Sequence, residues 1–393
     1  MKNVTKIILS IVTALFLLTA SNALARSPSP SKGPADLYFL AVGGSSYIDP
    51  DFPSFNAPKK SATLVAKLLR ENGARYGILL TDSKNDKTRI SRKDVYQALY
   101  DLKQKIRRDG SKKARVIIYI VSHGLADKVS NYIYMMPGNL NVDPQPIVQN
   151  DVFRLAKRSI FNFDILTSMM SFRRDPRFQH LDDDLTSDRM SDANGFQRLI
   201  EQTQLEAQYS DYLNQKAASY GAAPFDNAPI PFVLLLDNCN DGFRYELVQS
   251  NPVMQLMVNA QYSATLDAGR AYYAAKPGEM ANTMFIPSDL LKEEYEDKNG
   301  LSPSVGPLAI HLARVLHNKN PNEAMSLRSF DAEMLSRNID NSNEYPDPVF
   351  AVSTPLREDV ADVDFIPTKR QRMKIWQTAP ATGTQKVECC KLR

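Results

Sequence analysis

Residues Ala114 to Val121, ARVIIYIV, decide the fold: the run is nearly all apolar and rich in β-branched side chains, and it stops abruptly at Ser122-His123-Gly124. A continuous apolar run of that length, bounded by a glycine turn, is the pattern of a strand buried on both faces. Upstream, Leu37-Tyr38-Phe39-Leu40-Ala41-Val42 is a second such run, closed by Gly43-Gly44. Between them lie two helix patterns and a short strand. From Lys60 to Glu71, residues Leu64, Val65, Leu68 and Leu69 fall on one face, and Asn72-Gly73 is a stop signal. Ile78-Leu79-Leu80 reads as a brief strand, and Ser91 to Arg108 as a helix with Val95, Leu99, Leu102 and Ile106 on one side. Strand, helix, strand, helix, strand predicts an α/β fold, with a parallel sheet wound by right-handed crossovers and helices over both faces.

Composition sets the outer bounds. The 393 residues are 43 % hydrophobic and 23 % charged, which excludes a chain disordered throughout and leaves ample length for a large core. Three cysteines are too few for a disulfide scaffold, and 16 glycines too few for a fibrous protein. A net charge of +4 without a basic stripe, and a single tryptophan, give no nucleic-acid footprint.

The first 25 residues have the pattern of a signal peptide: Lys2 and Lys6 form a basic start, Ile7 to Ala20 an apolar run, and Ala23-Leu24-Ala25 a small-x-small cleavage site. An uncleaved anchor is the rival reading, although the apolar run is shorter than the roughly 20 residues that span a bilayer. The expectation is therefore an exported protein, periplasmic or secreted, with no stable membrane insertion after cleavage. A Ser/Pro-rich linker follows to residue 35, and the main domain is expected over 36–320. Within it an insertion at about 140–229 is far longer than an ordinary crossover. There Asn194 to Ser219 reads as helical, and Met169-Met170-Ser171-Phe172 is an apolar patch without an assigned place. The insertion fits equally a lid over a cleft and a helical extension of the core. Residues 321–393 are polar and Pro-rich, contain Lys369-Arg370-Gln371-Arg372, and are expected to be a loosely packed extension.

In an open α/β sheet the ligand crevice lies beyond the carboxyl ends of the strands, so polar residues directly after buried strands are the first candidates for chemistry. His123 follows ARVIIYIV. Cys239 follows Pro231 to Leu236, PFVLLL, within Asp237-Asn238-Cys239-Asn240-Asp241-Gly242. Neighbouring strands would bring both to one edge, where an imidazole can take the thiol proton for attack on a carbonyl and later protonate a leaving amine. The amides of Gly124 and Cys239 are candidate donors to the developing oxyanion. Each residue alone has a bland alternative, a buried apolar cysteine or a histidine satisfied at a strand end. Cys389 and Cys390 are adjacent, where a bond between neighbours is strained, so they are expected to stay free or to pair between chains.

These segments resemble the caspase and metacaspase family of cysteine peptidases, in particular its bacterial caspase-like members. The resemblance rests on Leu37 to Gly43, the Leu64 to Gly73 helix, Ser122-His123-Gly124 and Leu235 to Gly242. It extends to Ala271-Tyr272-Tyr273-Ala274-Ala275-Lys276-Pro277-Gly278-Glu279 and Gly306-Pro307-Leu308-Ala309-Ile310-His311, covering about 36–140 and 228–320. It implies a largely parallel six-stranded sheet, His123 as base and Cys239 as nucleophile of an endopeptidase acting on peptide or protein substrates. It also implies a substrate-binding role for Asp237, whose counterpart in metacaspase-like members lines a pocket for basic side chains. The chain departs from the family pattern at Asn238, Asn240 and Asp241. Ser61 stands where a second pocket acid is usual, and Lys59-Lys60 beside it reads as a solvated helix start. A legumain-like peptidase cleaving after Asn and an inactive binding module with the same sheet remain alternatives.

No cofactor and no metal is expected. His180, His311 and His317 lack ligand-like spacing. Asp182-Asp183-Asp184 with Asp188 and Asp192 does not match a calcium loop and reads as a solvated acidic turn. Arg173-Arg174 is a dibasic pair of the kind that occurs often by chance, and the oligomeric state is left open.

Overall fold

The computed structural model describes residues 35–48, 54–82, 89–126, 133–139, 159–161, 230–238, 269–274, 283–286, 304–336, 350–351, 358–368, 375–378 and 384–389, with isolated positions between them. Residues 1–34, which hold the expected signal peptide and most of the expected linker, the acidic run 182–192, Arg173-Arg174, nearly all of 194–219, Lys369 to Arg372, Cys239 and Cys390 lie outside the described residues.

Strands β1 (Asp36–Gly43), β2 (Tyr76–Thr81), β3 (Ala114–Val121), β7 (Phe232–Leu236) and β8 (Gly269–Tyr273) form the parallel centre of the main sheet, in the order β8-β7-β3-β1-β2. This is the expected α/β class with a largely parallel sheet. Antiparallel strands extend it on both sides. β12 (Phe350–Ala351) pairs with β8, while β15 (Thr384–Cys389) pairs with β2 and carries β14 (Ile375–Thr378) outside it. Among the described residues the sheet therefore has eight strands where six were expected, and the three antiparallel ones come from residues beyond 320.

Alternation along the central strands splits the core in two, because successive side chains point to opposite faces. Tyr38, Leu40 and Val42 with Val116, Ile118 and Ile120 face helix α2 (Arg92–Asp109), which presents Val95, Leu99, Leu102 and Ile106. Leu37, Phe39 and Ala41 with Ile117, Tyr119 and Val121 face α1 (Ala57–Glu71), α3 (Pro307–Asn318) and α4 (Leu327–Leu335). The predicted start of α2 and end of α1 hold for physical reasons, while α1 begins three residues before the expected Lys60. Ser91 caps α2 by accepting from the Asp94 amide, and Asp94 reciprocates. Gly73 ends α1 at φ +87, a conformation a Cβ would strain.

Two segments beyond the expected domain pattern belong to these cores. Ile165, Leu166, Met169 and Phe172 of the insertion are buried on the α2 face, where Lys103 and Arg107 lie over the Phe172 ring at 5.4 and 4.9 Å. Met169 and Phe172 of the unassigned patch are thus core on this side, and Met170 and Ser171 lie outside the described residues. Leu327, Phe330, Met334, Val360, Phe365 and Ile366 join the opposite core, with α5 (Glu358–Ala361) and β13 (Asp364–Ile366). These parts of the expected loose extension are packed in the fold, because its apolar residues are sparse but fall where the helix and strand turn inward.

The chain runs from β1 to β2 on one side and returns to β3 on the other side of β1, so the strand order reverses between β1 and β3. The crevice of an open sheet forms at such a point. Among the described residues no helix is long and apolar enough to cross a membrane.

Candidate functional site

His123 stands at that reversal, just after β3 and just before β4 (Gly124–Ala126). Its backbone is held on both sides. The His123 N–H donates to the Tyr47 hydroxyl (3.0 Å), and its carbonyl accepts from the Met136 N–H and the Ser122 hydroxyl, both at 2.8 Å. The Tyr47 hydroxyl donates onward to the Gly44 carbonyl (2.8 Å). The half-buried imidazole lies between two rings, with Tyr47 at 4.8 Å and Phe55 at 4.7 Å between centroids. Two tilted aromatic neighbours narrow the orientations open to the imidazole and keep part of its surface from water.

Both aromatics belong to the loop after β1, and a buried carboxylate shapes that loop. Asp82, the first residue after β2, accepts from the amides of Ser45, Ser46 (2.9 Å) and Ile90 (2.9 Å). Burial pushes its carboxyl above the ordinary carboxylate range, and the three amide donors, with Lys59 nearby, pull the other way. Lys59 is half-buried and donates from Nζ to the Asp82 carbonyl (3.1 Å), so it braces the loop and is not simply solvated. Ser45 ties the same loop to α1 by accepting from the Lys59 amide at 3.0 Å.

β3 pairs in parallel with β7, Ile120 opposite Leu236. The condition for bringing the two candidate segments to one edge is therefore met as far as residue 238. Asn238, fully buried, donates from Nδ2 to the Ser122 hydroxyl at 3.3 Å. The residue that precedes Cys239 in the chain thus touches the residue that precedes His123. Cys239 itself is not among the described residues.

Gly124, a candidate oxyanion donor, pairs with Met135 in the ladder between β4 and β5 (Ile133–Met135). The neighbouring bond from the Met136 N–H to the His123 carbonyl makes Gly124–Met135 a non-hydrogen-bonded pair, so the Gly124 N–H is not spent on β5.

Asp237 is 4 % exposed and sits beneath the start of α3. One carboxylate oxygen, Oδ2, accepts from the Tyr119 hydroxyl (2.7 Å) and the Ala309 amide (3.2 Å), and the Leu308 amide also bonds the carboxylate. Burial raises its pKa to about 6, with these donors opposing the rise. Ser61, likewise buried, accepts from the Gly306 amide (2.9 Å) and donates to the Ala57 carbonyl (2.7 Å). Ser61, Tyr119, Asp237 and the first amides of α3 make a polar knot joining α1, β3, β7 and α3.

Position after an apolar strand found His123 and Gly124 as candidates, and the family resemblance supplied Asp237, but Tyr47, Phe55, Asp82 and Tyr119 were missed. Asp82 obeys the rule that singled out His123, being the first polar residue after a buried strand. Nothing local marks the other three. Among the described residues no group of three or more His, Cys, Asp or Glu could hold a metal ion.

No family model matches the chain, and no curated protein sequence matches it. Among solved structures it is similar to the crystal structure of caspase-1 from Spodoptera frugiperda, with 8 % identity and a TM-score of 0.40, over 88 % of this chain and 97 % of that one. A likeness at that identity and score leaves the chemistry to be argued from the residues themselves.

Proposed function

We propose that the chain is an exported cysteine endopeptidase with Cys239 as nucleophile and His123 as general base and acid. The observation that carries the reading is the parallel register of β3 on β7 together with the contact between Ser122 and Asn238, the residues next to His123 and Cys239. The imidazole takes the thiol proton, and the thiolate adds to the scissile carbonyl. The tetrahedral oxygen accepts from the amides of Gly124 and Cys239. Collapse breaks the C–N bond, and the imidazolium gives its proton to the departing amine. Water then enters through the same imidazole, cleaves the thioester and restores the thiol.

The chemistry needs a base because a thiol with an ordinary pKa near 8.5 is only a few per cent thiolate at neutral pH. The aromatic pair at Tyr47 and Phe55 suits that role, since an imidazole already fixed in orientation reaches the thiol with little loss of entropy on reaction. Export is carried by the composition of residues 1–25 alone.

The test is labelling of the purified protein with an irreversible thiol-directed peptide probe, alongside hydrolysis of a library varied at P1 with Arg, Lys, Asp and Asn. A probe adduct on Cys239 that disappears in His123→Ala, together with cleavage of at least one library member, is expected. An adduct-free Cys239 would favour a binding module on the same sheet, and cleavage confined to Asn would favour the legumain type.

A further inference from the structure

Asp237 is a buried ionisable group two residues before the proposed nucleophile, and the mechanism above gives it no part. Its surroundings on every side are protein. The Oδ2 atom accepts from Tyr119 on β3 and from the amide of Ala309, and the Leu308 amide closes on the same carboxylate. These amides belong to the first turn of α3, where the helix dipole favours a negative charge, and the Ala309 amide is shared between the Asp237 carboxylate and the Gly306 carbonyl (3.2 Å). The other oxygen, Oδ1, is sealed from solvent and has no hydrogen-bond partner among the described residues. Against both oxygens lies Gly306, so close that a Cβ there would overlap the carboxylate.

A carboxylate that receives a lysine or arginine side chain must present an oxygen to the cleft. Here α3 covers both. Opening a path for a cation would mean lifting the Gly306 to Ala309 turn off β7, and so also breaking the Ser61 bond to the Gly306 amide.

We infer that Asp237 is a positioning residue, fastening the segment that leads into Cys239 to the first turn of α3, and is not the group that binds a substrate side chain; the inference rests on the peptidase reading. The carboxylate holds residue 237 against two elements at once, β3 through Tyr119 and α3 through Leu308 and Ala309. The chain to Cys239 is then two residues from a fixed point. The helix supplies the anchor and the carboxylate neutralises the helix end, so each satisfies groups that burial would otherwise leave costly.

Asp237→Ala, Asp237→Asn and Tyr119→Phe are compared in the full chain. The readouts are the alkylation rate of Cys239 by iodoacetamide, kcat and KM across the P1 library, and hydrogen exchange of amides 306–309. Asp237→Ala is expected to slow alkylation and lower kcat by about tenfold to a hundredfold, with KM and the P1 ranking unchanged and faster exchange at 306–309. Asp237→Asn is expected to recover most of the loss, since an amide oxygen still accepts from Tyr119 and Ala309. Should Asp237→Ala not fold, Tyr119→Phe, which removes one donor only, gives a smaller effect in the same direction. A P1 ranking that turns against Arg and Lys in Asp237→Asn with kcat intact overturns the inference, as does unchanged exchange at 306–309 in every variant. A wild-type chain that neither labels nor cleaves, but whose exchange at 306–309 responds to Asp237, upholds the fastening and sinks the peptidase reading instead.

Discussion

The two ends of the same sheet hold their charges differently. At the amino edge Asp36, Arg75, Asp109, Tyr38, Lys105 and Ser111 form one cluster of side chains bonded to side chains. Arg75 reaches Asp36 at 2.9 Å and Asp109 at 3.3 Å, Lys105 reaches Asp109 at 2.8 Å, and Tyr38 and Ser111 donate to the two carboxylates. At the carboxyl edge Asp82 and Asp237 are bound chiefly by backbone amides. The first arrangement pairs charge with charge and clamps strand starts to the end of α2. The second spends carboxylates on loop and helix backbone, and so fixes where His123 and the segment before Cys239 lie. Substitutions at the amino edge should therefore cost stability and spare chemistry, while those at the carboxyl edge should do the reverse or both.

The largest expected effect is on chemistry. Cys239→Ser should lower hydrolysis of the best library substrate by about a thousandfold or more while leaving the urea midpoint unchanged. A loss of stability with retained turnover would abolish the distinction. Next comes the pH dependence of stability, which Asp237 should dominate at its edge. Its folded pKa of about 6 lies above the ordinary 3.8, so the native state binds that proton more tightly than the unfolded chain. The stabilisation is fully present below about pH 4 and lost as pH rises through 6, a change of roughly 3 kcal/mol that Asp237→Asn should remove from urea titrations run between pH 4 and 7. An unaltered slope in that variant would mean that the carboxylate is already satisfied when charged.

At the amino edge, Asp109→Ala should cost about 2 kcal/mol in urea unfolding, because the buried Tyr38 hydroxyl loses its acceptor and Arg75 and Lys105 lose a partner. Probe labelling of Cys239 should not change, and a labelling defect would show that the two edges are coupled through β1. The smallest effect is that of Tyr47→Phe, which removes one hydroxyl bonded to the His123 amide and the Gly44 carbonyl. About 1 kcal/mol of stability and a modest fall in labelling rate are expected. A loss as large as that of His123→Ala would give the hydroxyl a part in the chemistry itself.

The central strands and first two helices were legible because their instructions are local. Apolar runs such as Ala114–Val121 and Phe232–Leu236 admit little else, and Ser91 with Asp94 writes its own helix start. His123 was legible for the same reason, as a polar residue where an apolar run stops. Tyr47 and Phe55 were not, since their value comes from meeting an imidazole far along the chain. Asp237 was found as a position, but its bonds to Tyr119 and Ala309 connect residues 118 and 72 apart, distances at which no pattern operates. The outer strands escaped for another reason. β14 and β15 mix Gln377, Lys386 and Glu388 among their apolar residues, the composition of an edge, which as bare sequence is indistinguishable from a solvated tail.

That edge pairing has a cost in time. β2 is apolar along nearly its whole length, and among the described residues its outer side is paired with β15, encoded about 300 residues later. At the ordinary pace of translation the strand waits tens of seconds before its cover has even been made, presenting open hydrogen-bonding groups to any other nascent strand. A chain cut short before residue 384 would carry that vulnerability permanently, and should be recovered from cells mainly as aggregate.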